Sequence, residues 1–282
     1  MSGAACLPAL VDIGINLSHD SYDADREAVL RRALAAGVEQ MIVTGASISS
    51  SRDAQTLVDT LPQVLRATAG CHPHHAIDLD AAAFAELAML ARAPLVVAVG
   101  ECGLDYHRNF SAPAEQRSAF ERQLALAIDL GKPLFLHCRD AHRDFMAMLR
   151  AHAGQLPPAV LHCFTGTADE LDDCLAFGLS IGITGWICDE RRGLHLRGLV
   201  GRIPRGRLMI ETDGPYLLPR DLTPKPASRR NEPMYLPHVA RTVATARGES
   251  SEELAQHTTR AAREFFGLPW PPAPSPPSHL AA

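Results

Sequence analysis

Charged or imidazole side chains stand at the ends of four strand-like segments. Glu101 follows LVVAVG, His137 ends PLFLH, His162 ends AVLH, and Asp213 follows LMIET. Two imidazoles and two carboxylates suit a divalent cation, because histidine nitrogen and carboxylate oxygen ligate Zn²⁺, Mn²⁺, Fe²⁺ or Mg²⁺ while water fills the open positions. Such a metal lowers the pKa of bound water and neutralises charge on an attacked phosphoryl or carbonyl oxygen. The four groups therefore predict a hydrolytic metal centre.

The two carboxylates of this set are assigned different work, and both are predicted to be catalytic. Asp213 is predicted to orient or deprotonate the attacking water. Glu101 lies in the middle of the strand order, where a carboxylate is placed to hold or bridge a cation. The simpler alternatives are an ion-paired or capping glutamate and, for each histidine taken alone, an ordinary hydrogen-bonded side chain.

Further polar residues lie where they could meet a substrate. The candidates for substrate binding are Asn16, His72, Arg139, Arg229 and Arg230. His72 belongs to the run CHPHH, whose histidines could instead ligate metal or pack a loop. The basic residues could reach phosphates, although a solvated loop is the alternative for the stretch that also contains Lys225. Four aromatic residues could stack on a terminal base: Phe110, Phe164, Trp186 and Tyr216. The cysteines after the candidate ligands are interpreted as packing residues.

These groups need elements that bring them to one place. Strand-like runs occur at 10–17, 40–44, 65–71, 95–101, 133–137, 159–163, 179–184 and 207–212. Helical patterns alternate with them at 22–36, 51–61, 80–91, 112–130, 141–153, 168–177 and 193–203, and two closing helices follow at 237–247 and 251–266. Eight such units predict a TIM-like (β/α)8 barrel, in which the strand ends share one rim. A doubly wound sheet is the alternative, but no G-x-G-x-x-G follows the first strand.

Composition limits the class of protein. Residues 10–267 are predicted to form one barrel domain, after an N-terminal extension at 1–9 and before a proline-rich, disordered tail at 268–282. The net charge of -5 argues against coating nucleic acid by bulk charge, although a local basic groove survives that objection. Seven scattered cysteines without a C-x-x-C pair suit a reducing cytosol. Without a signal segment or a long apolar run, we expect a cytoplasmic monomer that does not contact membranes.

Five motifs resemble the TatD family of metal-dependent deoxyribonucleases, within the wider amidohydrolase-like group of barrels. They are GCHPHH (70–75), GECGLDY (100–106), LHCRDA (136–141), LHCFTG (161–166) and ETDGPYLLPRDLTPKPASRRNEP (211–233). The likeness runs from 11 to 267. It implies a barrel of the metallo-dependent hydrolase type. By this resemblance Glu101, His137, His162 and Asp213 are divalent-metal ligands, with Asp213 also acting on the attacking water.

The first strand departs from the commoner pattern of the wider group. Most members of the wider group have a D-x-H-x-H motif on the first strand. At the corresponding positions this chain has Asp12, Gly14 and Asn16. The loss of two nitrogen ligands predicts a weak or empty second metal position and a shift toward Mg²⁺, with Mn²⁺ or Zn²⁺ as alternatives. The opening DIGINL and the stretch ITGWICDERRG (183–193) are similar to family members that are Mg-dependent 3′-to-5′ exonucleases. The resemblance thus implies 3′ ends of single-stranded DNA or RNA as substrates and a part in DNA repair or turnover.

Two other functions are compatible with the residues. The first is a barrel amidohydrolase or esterase that cuts a small cyclic amide, lactone or aminoacyl ester, although the missing strand-one histidines count against it. The second is a non-catalytic barrel that binds nucleic acid, which predicts binding without turnover.

Overall fold

The computed structural model describes residues 9–269, and within them eight parallel strands form one sheet in chain order. The strands are β1 Leu10–Ile15, β2 Val38–Val43, β3 Leu65–Ala69, β4 Val96–Asp105, β5 Leu134–Arg139, β6 Ala159–Leu161, β7 Ser180–Ile183 and β8 Leu208–Ile210. Each strand pairs in parallel with the next. The prediction of a TIM-like (β/α)8 barrel is confirmed, and the doubly wound sheet is excluded because the strand order never reverses.

Helices connect successive strands and cover the outside of the sheet. They are α1 Arg26–Ala35, α2 Ile48–Thr60, α3 Ala81–Ala91, α4 Pro113–Leu130, α5 His142–Ala151, α6 Ala168–Phe177, α7 Leu194–Leu199, α8 Leu236–Arg247 and α9 Ser251–Phe266. The predicted helix at 193–203 is shorter than expected and gives way to the 3-10 turn Val200–Arg202. Gly198 and Gly201 lie in this stretch, and glycine weakens helix propagation. No helix of residues 9–269 is both long and apolar enough to span a lipid bilayer.

Strand β4 is longer than the apolar pattern predicts. The prediction ended it at Glu101, whereas pairing with β5 continues to the Asp105–Arg139 pair. Gly103 permits the extension: a Cβ there would lie 1.9 Å from the carbonyl oxygen of His137, so only glycine fits this close approach. Glu101 therefore lies inside the strand, and Asp105 ends it.

The barrel is closed by the segment that follows β8. Ile15 forms an isolated parallel bridge with Gly214. The amide of Asp213 donates to the carbonyl oxygen of Gly14 at 2.8 Å, and the amide of Asn16 donates to that of Gly214 at 2.8 Å. The backbone of β1 thus positions the segment that contains Asp213.

The interior of the barrel is apolar at the amino ends of the strands. One cluster of buried side chains comprises Val11, Ile13, Ile42, Ala98, Phe135, Val160 and Met209, together with Ala261, Ala262, Phe266 and Leu268. Because α9 contributes to this cluster, it helps to close that end of the barrel. Leu268 is 4% exposed, so packing extends one residue beyond the predicted domain end. The remaining predicted tail from residue 270, and residues 1–8 of the predicted extension, lie outside the described residues.

Candidate metal centre

A single carboxylate oxygen of Glu101 faces three imidazole rings. Glu101 Oε1 lies 2.7 Å from His162 Nε2, 3.1 Å from His137 Nδ1 and 3.4 Å from His72 Nε2. The glutamate is buried, with 7% of its surface exposed. Strands β4 and β5, the residue after β6, and the loop after β3 contribute these groups. The structure therefore brings together three of the four predicted metal ligands, with His72 beside them.

Each of the two candidate histidine ligands also faces a second carboxylate. His137 Nε2 lies 3.2 Å from Asp105 Oδ2, and His162 Nδ1 lies 3.5 Å from Glu211 Oε2. A carboxylate on the far nitrogen of a metal-binding histidine fixes the ring orientation and keeps the proton away from the ligating nitrogen. These contacts leave Nδ1 of His137 and Nε2 of His162 directed at Glu101.

Asp105 and Glu211 were not among the residues predicted from the sequence. Side chains alternate between the faces of a strand, so a residue four positions after Glu101 and one two positions before Asp213 share their faces. That spacing was a usable signal. It was missed for Asp105 because the predicted fourth strand ended too early, and for Glu211 because only the last charged residue of ETD was considered.

Asp213 lies at the same rim with a hydrogen bond from Asn16. Asn16 Nδ2 donates to Asp213 Oδ1 at 3.1 Å, so Asn16 contacts a candidate catalytic group. Asp213 has a φ of 54°, a left-handed conformation that is uncommon for a residue other than glycine and occurs often at functional sites. Burial raises the pKa of Asp213 to about 7; His162 opposes this shift, and the charges of Glu101 and Glu211 add to it.

His72 is held in an orientation that favours donation to Glu101. Its Nδ1 accepts the backbone N–H of His74 at 3.1 Å, so the neutral ring carries its proton on Nε2, the nitrogen that faces Glu101. Burial lowers the pKa of His72 well below the usual value despite the neighbouring Glu101 charge. His74 Nε2 lies 3.1 Å from Asp105 Oδ2. The described residues contain two triads at this rim whose donor atoms lie within 4.8 Å of one another, His72–His74–Asp105 and His72–Glu101–His137.

The buried carboxylates and imidazoles of this centre shift one another's pKa values. Burial alone would raise the pKa of Glu101, but His162 and His72 outweigh it and hold that pKa well below the usual range. Burial opposes protonation of His162 and His137, yet the facing carboxylates raise the pKa of both rings. Without a cation, protons on these imidazoles balance the buried carboxylates.

The donor set fits a divalent cation. His162 Nδ1 and Glu211 Oε2 are buried, face each other at 3.5 Å and form no hydrogen bond within residues 9–269. A proton on Nδ1 would compensate this pair and would leave Nε2 of His162 available to a cation. Gly14 makes room for this arrangement, because a Cβ on it would lie 2.4 Å from Glu211 Oε2. With imidazole nitrogens and carboxylate oxygens converging, the residues could hold one ion of the kind expected from the sequence.

The predicted basic substrate contacts differ in their surroundings. Arg139 lies beside Trp186, with its guanidinium carbon 5.7 Å from the ring centroid. Arg229 and Lys225 line an open cavity of about 700 Å³. Arg230 instead forms ion pairs of 2.7 and 2.8 Å with carboxylates. Those partners are Asp25 and Glu232. The guanidinium of Arg230 thus has a structural role in attaching its loop to the barrel.

The cysteines near the centre lack the properties of nucleophiles. Burial raises the pKa of the Cys102 and Cys163 thiols, and burial likewise raises that of Cys138. A thiol that resists ionisation is a poor nucleophile and a poor metal ligand. This agrees with the interpretation of these residues as packing groups.

Comparison with known proteins adds a family to this geometry. A model of the family described as TatD related DNase matches residues 11–267. The chain is 55% identical over 259 residues to a protein of Edwardsiella piscicida named 3'-5' ssDNA/RNA exonuclease TatD, a match that covers 92% of this chain and 100% of that protein. It is 54% identical, with the same coverage, to a protein of the same name from Pectobacterium atrosepticum.

Solved structures agree with this assignment. A TatD homologue from Escherichia coli is 27% identical with a TM-score of 0.84, and the match covers 92% of this chain and 98% of that one. A hydrolase of the TatD family from Entamoeba histolytica is 26% identical with a TM-score of 0.83, and the match covers 93% of this chain and 99% of that one. Since the family model and these relatives each span almost the whole chain, the protein belongs to the TatD related DNase family.

Proposed function

We propose that this protein is a metal-dependent 3′-to-5′ exonuclease that hydrolyses phosphodiester bonds of single-stranded DNA and RNA. The observation that carries the proposal is the convergence of Glu101, His137 and His162 at the barrel rim. This convergence occurs in a chain that is 55% identical to a protein named for that activity. The loss of strand-one histidines disfavours a small-amide hydrolase.

Four residues are proposed as ligands of the divalent ion: Glu101, His137, His162 and Asp213. We propose Mg²⁺ as the ion, because Gly14 and Asn16 supply no imidazole from the first strand; Mn²⁺ or Zn²⁺ would use the same donors. A bound ion would lower the pKa of a water molecule and neutralise charge on the phosphoryl oxygens.

The protein's own side chains would handle the proton. Asp213 is a carboxylate beside the other candidate ligands, and burial raises its pKa, which favours acceptance of a proton. Asn16 occupies Asp213 Oδ1. The second oxygen, Oδ2, accepts no hydrogen bond from residues 9–269 and is the proposed proton acceptor. Glu101 is proposed as the second catalytic residue because it holds the three imidazoles in position.

Substrate contacts are proposed for His72, Arg139, Asn16 and Arg229, and Arg230 is withdrawn because Asp25 and Glu232 engage it. His72 and Asn16, which contact Glu101 and Asp213, would bind the reacting phosphate. Arg139 and Arg229 would contact the flanking strand. We further propose a monomeric, cytosolic protein with a part in repair or turnover of damaged DNA, in keeping with its scattered cysteines and its relatives' substrates.

The test is a time course on single-stranded oligonucleotides labelled at either end, with Mg²⁺, with EDTA, and with the Glu101→Ala protein. Early loss of the 3′ label and a descending ladder from the 5′ label, both abolished by EDTA and by Glu101→Ala, are expected. Glu121→Ala is the matched control, because Glu121 is exposed and pairs only with His152 among the described residues. Cleavage that persists in EDTA, or binding without any turnover, would contradict the proposal.

A further inference from the structure

Two surface cavities meet at Trp186, which follows β7 in the short 3-10 helix Gly185–Cys188. The larger has a volume of about 700 Å³ and the smaller about 380 Å³. Trp186 and Arg192 line both cavities. The two side chains are in contact, with the guanidinium carbon of Arg192 4.3 Å from the indole centroid. Together they form a wall between two spaces that are each large enough for part of a ligand.

The smaller cavity lies at the loops that follow the strands of His137 and His162. Its lining includes Cys138 and Arg139, which directly follow His137, and Leu161, which directly precedes His162. The larger cavity lies on the other side of Trp186. It is lined by the loop after β8, the same loop that contains Asp213. A chain-like ligand that leaves the centre past Trp186 would therefore enter the larger cavity.

The larger cavity is strongly cationic. Its lining contains five cationic side chains and one carboxylate: Arg191, Arg192, Arg220, Lys225, Arg229 and Asp189. Asp189 is shared by three of the arginines at 3.2–3.7 Å. Lys225 and Arg229 are exposed and have no carboxylate within 4.0 Å among residues 9–269. This excess of positive charge occurs in a chain with a net charge of -5, so the charge is concentrated locally and suits a polyanion.

The wall between the cavities offers a surface on which bases can stack. Indole and guanidinium planes stack on nucleobases without regard to sequence. Arg139 approaches the indole of Trp186 from the smaller cavity and Arg192 contacts it closely. Trp186 is held in place by a backbone hydrogen bond to Thr184 Oγ1 at 3.2 Å. Phe164, which also lines the smaller cavity, is only 4% exposed and offers little surface for stacking.

We propose that the larger cavity binds the phosphates of single-stranded nucleic acid upstream of the bond that is cut, and that the Trp186–Arg192 wall stacks on a base between this cavity and the metal centre. The inference rests on the proposed exonuclease function and adds to it a binding footprint longer than the released nucleotide. A strand of about a dozen nucleotides should therefore bind more tightly than a dinucleotide, by contacts that lie outside the metal centre.

Three variants test the inference. Lys225→Gln with Arg229→Gln removes the two cations that lack carboxylate partners, and Trp186→Ala removes the stacking surface, with Trp186→Phe as a rescue. The matched control is Arg31→Gln with Arg241→Gln, which removes the same charge from exposed positions on α1 and α8. Binding of a fluorescent strand of about 12 nucleotides is measured by anisotropy at several salt concentrations in EDTA, and KM is measured for that strand and for a dinucleotide in Mg²⁺.

The cation variant is expected to bind the long strand about ten-fold more weakly and to lower the slope of log affinity against log salt by about 1.4, since each single-strand phosphate contact contributes about 0.7. Trp186→Ala is expected to weaken binding about ten-fold and Trp186→Phe to restore most of it. The cation variant should raise KM for the strand of about 12 nucleotides more than KM for the dinucleotide, and the control variant should change neither. An unchanged salt slope, or equal effects on both substrate lengths, would overturn the inference. Because anisotropy needs no turnover, inactivity of the wild type would instead refute the exonuclease function.

Discussion

Replacing Asp105 with asparagine tests whether the outer carboxylates prepare the histidines for metal. In the wild type, Asp105 Oδ2 faces His137 Nε2 at 3.2 Å and His74 Nε2 at 3.1 Å. Oδ1 accepts two backbone N–H groups, those of His107 at 3.0 Å and Arg108 at 2.9 Å. An asparagine would keep its oxygen on these two donors, so its NH₂ group would turn toward the imidazoles.

This exchange should reverse the tautomer of His137. An NH₂ group beside Nε2 requires that nitrogen to accept, which moves the ring proton to Nδ1, the atom that faces Glu101. A protonated Nδ1 cannot ligate a metal. Loss of such an outer carboxylate costs about 10- to 100-fold in metal affinity, or about 1.4–2.7 kcal/mol. We expect a loss at the upper end of this range because Asp105 is 2% exposed, so water cannot replace it.

The measurement is a calorimetric titration of the metal-free protein with Mn²⁺, accompanied by rates of oligonucleotide hydrolysis at saturating and limiting metal. Asp144→Asn is the control, because Asp144 is a partly exposed carboxylate that bonds Tyr106 and Arg117 rather than a candidate ligand. The expected result is a raised Kd for Mn²⁺, with activity partly restored by excess metal, in Asp105→Asn only. A Kd within two-fold of wild type would show that metal binding by His137 does not depend on Asp105 and would refute the predicted change of tautomer.

Three further predictions concern protons. Asp213→Asn should reduce kcat at saturating Mg²⁺ by about 100-fold or more, because the amide cannot accept a proton; turnover near wild type would remove Asp213 from that role. Metal affinity should increase from pH 6.5 to 8, because the pKa values of His137 and His162 are raised and a cation must displace their protons. Calorimetry in buffers of different ionisation heat would count the protons released on binding. Metal binding without proton release at pH 6.5 would contradict the prediction. Burial raises the pKa of Asp12 to about 7 in the folded protein, so ionisation of Asp12 destabilises the fold as pH rises from its unfolded pKa of 3.8 toward 7. Chemical unfolding in EDTA should show that the free energy of unfolding of Asp12→Asn, relative to wild type, increases by about 3 kcal/mol between pH 5 and 8. A difference that stays constant with pH would refute this pKa assignment.

The fold could be predicted from local patterns, and its errors have local causes. Apolar runs alternating with amphipathic helices indicate eight β/α units, since each parallel crossover needs a helix. The helices α6 and α9 begin and end where predicted, because capping residues such as Thr167 and Ser250 mark their starts. The predicted β4 stops four residues too early, because Glu101 and Gly103 interrupt the apolar run. In the structure, backbone pairing with β5 continues past them.

The candidate site was predictable only where it follows from position along a strand. By itself, the sequence indicated that Glu101, His137, His162 and Asp213 lie in or after the carboxyl-terminal halves of their strands, which share one rim in a parallel barrel. Which nitrogen of each ring faces which oxygen was decided by the register between strands and by the positions of neighbouring side chains. Those contacts join residues as far apart in the chain as Glu101 and His162, and no local pattern encodes them.

The basic residues show the same division. In the sequence, Arg229 and Arg230 are adjacent and equivalent in charge. In the structure, Arg230 is bound by Asp25 from the segment before α1, whereas Arg229 lines the cationic cavity beside Trp186. Sequence determined that cations were available in this loop. Only the tertiary structure decided which of them a carboxylate neutralises, because ion pairing depends on distances between segments about 200 residues apart in the chain.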